Sequence, residues 1–180
     1  MGKGLGALAH TRRQLDFLGV NYYTRALVYW QPKGMAWLVG SDWPHPMAPH
    51  RDAFPTSAGR SGQTACTISS CALPRLGLPL LVTENGIATT DETLRCRFLE
   101  EHLAAVAAAM AAGAPVIGYL WWSLIDNFEW DSGFAPRFGL FETDYETFAR
   151  RPRPAAFRFA AIATSRQLTL DASAPIASAS

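Results

Sequence analysis

Three short stretches of the chain are apolar almost without interruption: LDFLGVNYY (15–23), LPLLVTEN (78–85) and PVIGYLWWSL (115–124). Each is rich in Val, Leu, Ile or aromatic residues. None alternates apolar with polar positions as a half-exposed strand does. Such runs suit strands covered on both faces, as in a parallel sheet beneath helices. Between the second and third lies DETLRCRFLEEHLAAVAAAMAAG (91–113). Asp91 is a helix-starting residue, acids occupy the first turn, and Gly113 closes the segment. Leu99, Leu103, Val106 and Met110 recur at i, i+4, i+7 and i+11, which predicts a single apolar stripe. Strand, helix and strand make one βαβ unit, right-handed by default. A long loop, 125–152, then leads to RPAAFRFAAIATS (153–165), a second predicted helix with Pro154 in its first turn.

Residues 40–77 break this regularity. Four prolines precede Ser57 and no periodicity runs through the stretch. A crossover between parallel strands should carry a helix here. The segment reads instead as an irregular insert, frame-shifted or mis-spliced between two intact parts. Residues 1–14 form an N-terminal extension, and the small, polar 166–180 a disordered tail.

Composition narrows the class. At 180 residues, 49% hydrophobic and 17% charged, the chain fits one packed domain or a piece of a larger one. A net charge of +1 argues against a basic nucleic-acid surface or an acidic tail. No apolar run uninterrupted by Gly or Pro reaches the roughly 18 residues of a membrane span, and the first residues lack the apolar core of a signal peptide. The expectation is a cytoplasmic protein with no membrane or nucleic-acid partner. Cys66, Cys71 and Cys96 are odd in number and lack metal-like spacing, so free thiols are expected and no metal site.

All three apolar runs deliver polar or aromatic side chains at their C-terminal ends. The first ends in Asn21, Tyr22 and Tyr23, the second in Glu84 and Asn85. The third ends in Trp122 and Ser123, followed by Asp126, Asn127, Glu129 and Trp130. Ligands of parallel α/β folds sit at that end of the sheet. A lone Glu after a strand is ordinarily a hydrogen-bonded turn residue. Three strand ends bearing carboxylates, amides, Tyr and Trp together point to a site.

These residues resemble a family. LVTENG, WWSLIDNFEW and GFAPRFGLFETDYET look like glycoside hydrolase family 1, the β-glucosidase family, and DFLGVNYYT is similar to its sixth barrel strand. The resemblance covers 15–30 and 76 to about 163. It implies an α/β fold, the C-terminal part (strands six to eight) of a (β/α)8 TIM barrel, with 15–165 a partial glycosidase domain interrupted by 40–77. It also implies retaining hydrolysis of terminal β-D-glucosyl residues without a cofactor, on a β-glucoside or oligosaccharide substrate.

Residue by residue, the match makes Glu84 the nucleophile and Tyr23 the phenol that hydrogen-bonds it. Asn21 becomes a pocket-lining amide and Trp122 the platform under the sugar ring. Glu129 would accept hydrogen bonds from two hydroxyls, Trp130 would donate its indole N–H, and Phe138 would wall the hydroxymethyl end. Asp126 and Asn127 are read as braces of the loop. A carboxylate at Glu129 would repel a phosphate, which favours unphosphorylated sugars.

The chain also departs from the family. The Asn-Glu-Pro motif of strand four, source of the general acid/base, occurs nowhere in the 180 residues. The strand-one Gln and strand-three His that bind the sugar are also missing. A retaining mechanism needs two carboxyl groups about 5 Å apart. The expectation is therefore a β-glucosidase lacking its acid/base half, with a missing N-terminal barrel part as its partner. The alternatives are a noncatalytic sugar-binding remnant and an inactive truncated fragment.

Overall fold

A computed structural model describes residues 15–23, 28–29, 41–42 and 77–168. In chain order they form β1 (Leu18–Asn21), β2 (Val28–Tyr29), β3 (Ser41–Asp42), β4 (Leu80–Asn85), α1 (Glu92–Ala111), β5 (Val116–Trp121), β6 (Phe141–Thr143), β7 (Arg150–Pro152) and α2 (Pro154–Ser165). A 3-10 turn, Trp130–Ser132, lies between β5 and β6.

The three apolar runs become β1, β4 and β5, parallel neighbours in that order. Val20 stands opposite Val82, and Val82 opposite Tyr119. One face of the sheet packs on α1. Val20, Leu80 and Val82 meet Val106, Ala109 and Ala114 in one core cluster. A second cluster joins Phe98 and Leu99 of α1 to Trp121 of β5, Ala155 of α2, and Ile87 and Leu140 from the loops beyond the strand ends. Those loops therefore rest on the core.

Local signals set the ends of α1 as the sequence predicts. The Asp91 side chain accepts from the Leu94 N–H at 3.1 Å, and Gly113, at φ +94°, donates its N–H to the Met110 carbonyl. The buried stripe differs from the prediction. Leu99 and Val106 are buried and Leu103 partly so, but Met110 is 52% exposed. The face that packs is Arg95, Phe98, Leu99, His102, Ala105, Val106 and Ala109. Alanines let the helix backbone come close to the sheet. Arg95 and His102 are tolerated because their polar atoms are bonded, His102 Nδ1 to the Phe98 carbonyl at 2.8 Å. The His102 ring also stacks on Phe98, with centroids 3.7 Å apart.

The opposite face of the sheet is open among the described residues, contrary to strands covered on both sides. Ile117 and Leu120 of β5 are 62% and 52% exposed. β2 and β3 pair antiparallel in a ladder the sequence did not announce, one strand of it inside the 40–77 insert. The rest of that insert, except Gly77, the extension 1–14 and residues 169–180 of the predicted tail lie outside the described residues. So do Cys66 and Cys71, while Cys96 is free and half-buried. No described helix is long and apolar enough to cross a membrane.

Burial holds the His102 imidazole below its ordinary titration range, opposed by the weaker effect of the Phe98 carbonyl. Below about pH 6.5 the unfolded chain binds a proton that the folded one excludes, so stability falls as pH drops through that value. The urea midpoint should decline between about pH 7.5 and about pH 5.5. The decline should shrink in His102→Gln. An unchanged slope in that variant would remove His102 as its source.

Candidate active site

β4 ends by presenting Glu84, half-buried, and Asn85, which is 2% exposed. The Tyr23 hydroxyl, just past β1, donates to Glu84 Oε2 at 2.6 Å. Burial pushes the Tyr23 phenol far above its ordinary range, and the bond to Glu84, its charge and that of Glu129 add to this. Tyr23 is therefore a fixed proton donor across the working pH range. Its ring meets the edge of Phe138, centroids 6.0 Å apart at 74°.

Asn85 joins the three strand ends. Its Nδ2 donates to the Tyr22 carbonyl at the end of β1. Its Oδ1 accepts from the Tyr119 hydroxyl of β5 at 2.6 Å, and its carbonyl accepts from the Trp122 N–H at 3.0 Å. The sequence reading gave Asn85 no role. The available signal was an amide beside a carboxylate at a buried strand end, where a group that donates and accepts at once can tie neighbours together.

The loop after β5 supplies the second group. The Trp122 indole N–H donates to Glu129 Oε1 at 3.1 Å. Asp126 braces this loop. It is 2% exposed and accepts from the Gly139 N–H at 2.9 Å and from Arg153 at 3.0 and 2.8 Å. These bonds, Arg153 foremost, hold its carboxyl below the usual range against the cost of burial. Phe138 is 2% exposed, so its ring is a fixed wall. Asn21 is exposed at the end of β1 and accepts from the Thr83 hydroxyl at 2.6 Å.

Glu84, Tyr23 and Phe138 thus form one contact group, and Trp122 and Glu129 another. Gly86 is where they meet. A Cβ there would lie 1.9 Å from the Trp122 carbonyl oxygen and 3.6 Å from the Phe138 ring. Trp130 stands apart, 81% exposed at φ +51°. The arrangement offers a carboxylate aimed by a phenol beside a second carboxylate aimed by an indole. No cluster of three or more potential metal ligands occurs among the described residues.

The family model described as glycosyl hydrolase family 1 matches residues 6–168. A β-galactosidase of Saccharolobus solfataricus is 38% identical over 168 residues, covering 87% of this chain and 33% of that protein. A galactolipid galactosyltransferase of Arabidopsis thaliana is 34% identical over 157 residues, covering 87% of this chain and 24% of that protein. A solved β-glycosidase from Pyrococcus horikoshii superposes with a TM-score of 0.71 at 38% identity, over 86% of this chain and 36% of that one. The chain therefore spans about a quarter to a third of the length of these relatives.

Any side chain at Gly86 must push the ends of β4 and β5 apart. Gly86→Ala should lower stability by about 1–3 kcal/mol, the usual penalty of overpacking. It should also weaken the near-ultraviolet circular dichroism of the tryptophans. A urea midpoint equal to that of the wild type would show that the two strand ends are not in such close contact.

Proposed function

The chain belongs to glycosyl hydrolase family 1; we propose that it carries the nucleophile half of a retaining β-glucosidase acting on unphosphorylated terminal β-D-glucosyl residues. The observation that supports this best is the 2.6 Å bond from Tyr23 to Glu84 at the end of the central strand. In this reading one oxygen of Glu84 attacks the anomeric carbon. The bond to the leaving oxygen breaks, its electron pair departs with that oxygen, and a glycosyl ester forms on Glu84. Water then attacks the same carbon, its proton passing to the acid/base carboxylate that the N-terminal strands would supply, and the bond from that carbon to Glu84 breaks. Tyr23 fixes the rotamer of the carboxylate, so that little orientation is left to achieve when the sugar arrives.

The remaining assignments follow the same reading. The indole face of Trp122 supports the C–H face of the pyranose. Glu129 accepts from two ring hydroxyls while Trp122 holds it, and Trp130 swings its N–H onto a third. Asn21 lines the pocket, and Phe138 walls its hydroxymethyl end. The carboxyl that protonates the leaving oxygen is not among these residues and belongs to the N-terminal barrel strands that complete the fold.

A second reading shares the intermediate. A sugar hydroxyl in place of water would make the enzyme a glycosyltransferase, and the Arabidopsis relative's name favours including it. Both readings require a covalent adduct on Glu84, which the noncatalytic alternative does not.

A 2,4-dinitrophenyl 2-deoxy-2-fluoro-β-D-glucoside tests the proposal on the chain as it stands, because its leaving group needs no protonation. One fluoroglucosyl mass should appear on the peptide holding Glu84 and be lost in Glu84→Gln. Label on Glu129 or on any other acid would refute the assignment.

Unactivated substrates test the missing acid/base. General acid/base help is worth about 10²–10⁴-fold, so hydrolysis of aryl β-glucosides by this chain should be negligible. Azide or formate should raise any turnover seen, because a small anion needs no general base. Robust cleavage of cellobiose, abolished by Glu84→Gln, would instead place an acid/base within this chain.

A further inference from the structure

We infer that Arg95, a residue of the first turn of α1, is a positioning residue that holds the wall of the nucleophile site in place from behind. Arg95 is 0% exposed. Its guanidinium serves two loops at once. Nη1 donates to the Ile87 carbonyl at 3.2 Å and to the Arg137 carbonyl at 3.0 Å, and Nη2 donates to the Thr89 carbonyl. Its Nε pairs with Glu92 at 3.2 Å. The Thr89 N–H adds a direct bond to the Arg137 carbonyl at 3.2 Å. One loop follows Glu84, and the other leads into Phe138.

Backbone carbonyls beyond a strand end have no ladder partner, and leaving them buried and unpaired is costly. A planar fork of five donors can satisfy three of them together with a carboxylate, which an ammonium or an apolar side chain cannot. Simple filling of space therefore does not account for a guanidinium at this position.

The neighbours of Phe138 are held on both sides. Arg95 fixes the carbonyl of Arg137. On the other side the Gly139 N–H is held by Asp126 at 2.9 Å, and the Gly139 carbonyl accepts from Arg153 at 2.7 Å. The two holds are joined through charge, because Glu92 pairs with both Arg95 and Arg153, each at 3.2 Å. Phe138 itself borders Tyr23, which donates to Glu84. Loss of Arg95 leaves the Arg137 carbonyl to the Thr89 N–H, whose own loop has lost the same guanidinium, so Phe138 is loosened on that side, the Tyr23 ring loses its fixed neighbour and the carboxylate its aim. This catalytic consequence rests on the Glu84 reading above; the structural one does not.

The test uses Arg95→Met and Arg95→Lys in the full chain, with Val106→Ala as a control buried on the same helix in the other core cluster, away from these loops. Hydrogen exchange measured by mass spectrometry is the first readout. In Arg95→Met, peptides spanning 86–90 and 137–139 should exchange at least about tenfold faster, while those of β4 and β5 keep their protection, the pattern of a local opening. Val106→Ala should loosen sheet and loops alike. The second readout is labelling by the dinitrophenyl fluoroglucoside. Its limiting rate should fall by about tenfold or more in Arg95→Met, because misplacement of about 1 Å is costly to a reacting group. Arg95→Lys should recover only part of either effect. Uniform acceleration of exchange in Arg95→Met, or none in the two loops, would overturn the inference. A wild-type chain that takes no label would count against the Glu84 reading alone, and exchange would still decide the role of Arg95.

Discussion

The Asn85 carboxamide is the constraint on which the site depends. Its Nδ2 donates to the Tyr22 carbonyl just past one outer strand, its Oδ1 accepts from a phenol on the other, and the backbone carbonyl of the same residue accepts from the Trp122 N–H. An unsatisfied buried polar group costs about 1–3 kcal/mol, so each of these bonds makes the others harder to break. Each also carries a neighbour with it. The Tyr22 carbonyl immediately precedes Tyr23, which donates to Glu84, and the Trp122 N–H belongs to the residue whose indole donates to Glu129. One residue in the middle strand, through its carboxamide and its backbone carbonyl, thus sets the spacing between the two contact groups.

A second polar layer lies behind the first. Arg95, Glu92, Arg153 and Asp126 run from the start of α1 to the N-cap of α2 and the loop after β5. Each charge is partnered, as burial requires. The two hydrophobic clusters position the sheet against α1, and these bonded groups then position the loops against the sheet. The packing alone would leave the loops free to slide, because apolar contacts are not directional.

Much of this could be read from the sequence, and the exceptions have a common cause. Continuous apolar runs gave three parallel strands, and Asp91 and Gly113 marked the ends of α1, because strand burial and helix caps act over a few neighbouring residues. Glu84 and Tyr23 fell within motifs long enough to be matched. The buried face of α1 was misjudged because Arg95 and His102 look like solvent-facing residues. Their partners are the carbonyls of Ile87, Arg137 and Phe98, and carbonyls are the same in every residue. Asn85 escaped for the same reason. A polar residue whose role lies in backbone groups distant in sequence leaves no pattern, and the pairing of β2 with β3 left none either.

The open face of the sheet separates two requirements of glycoside chemistry. Parallel sheets are ordinarily covered on both sides, and here Ile117 and Leu120 are exposed while the chain spans 33% of its Saccharolobus relative. Within the sheet the fit is close: Leu81 leans over Gly118 and Thr83 over Gly19, where a Cβ would lie 2.8 Å and 3.2 Å from those side chains. On the proposed reading, aiming the nucleophile draws on this local fit, because Tyr23, Asn85, Phe138 and Arg95 all lie in the described part of the chain. Stabilising charge at the transition state needs more. Preorganised donors gain most of their strength where water is excluded, and water is excluded by walls on every side. On the proposed reading, attack on the anomeric carbon is a property of strands six to eight, whereas protonation of the leaving group and exclusion of water are properties of the closed barrel. Closing the barrel would therefore raise the rate mainly through electrostatics, with Glu84 already held in its working position.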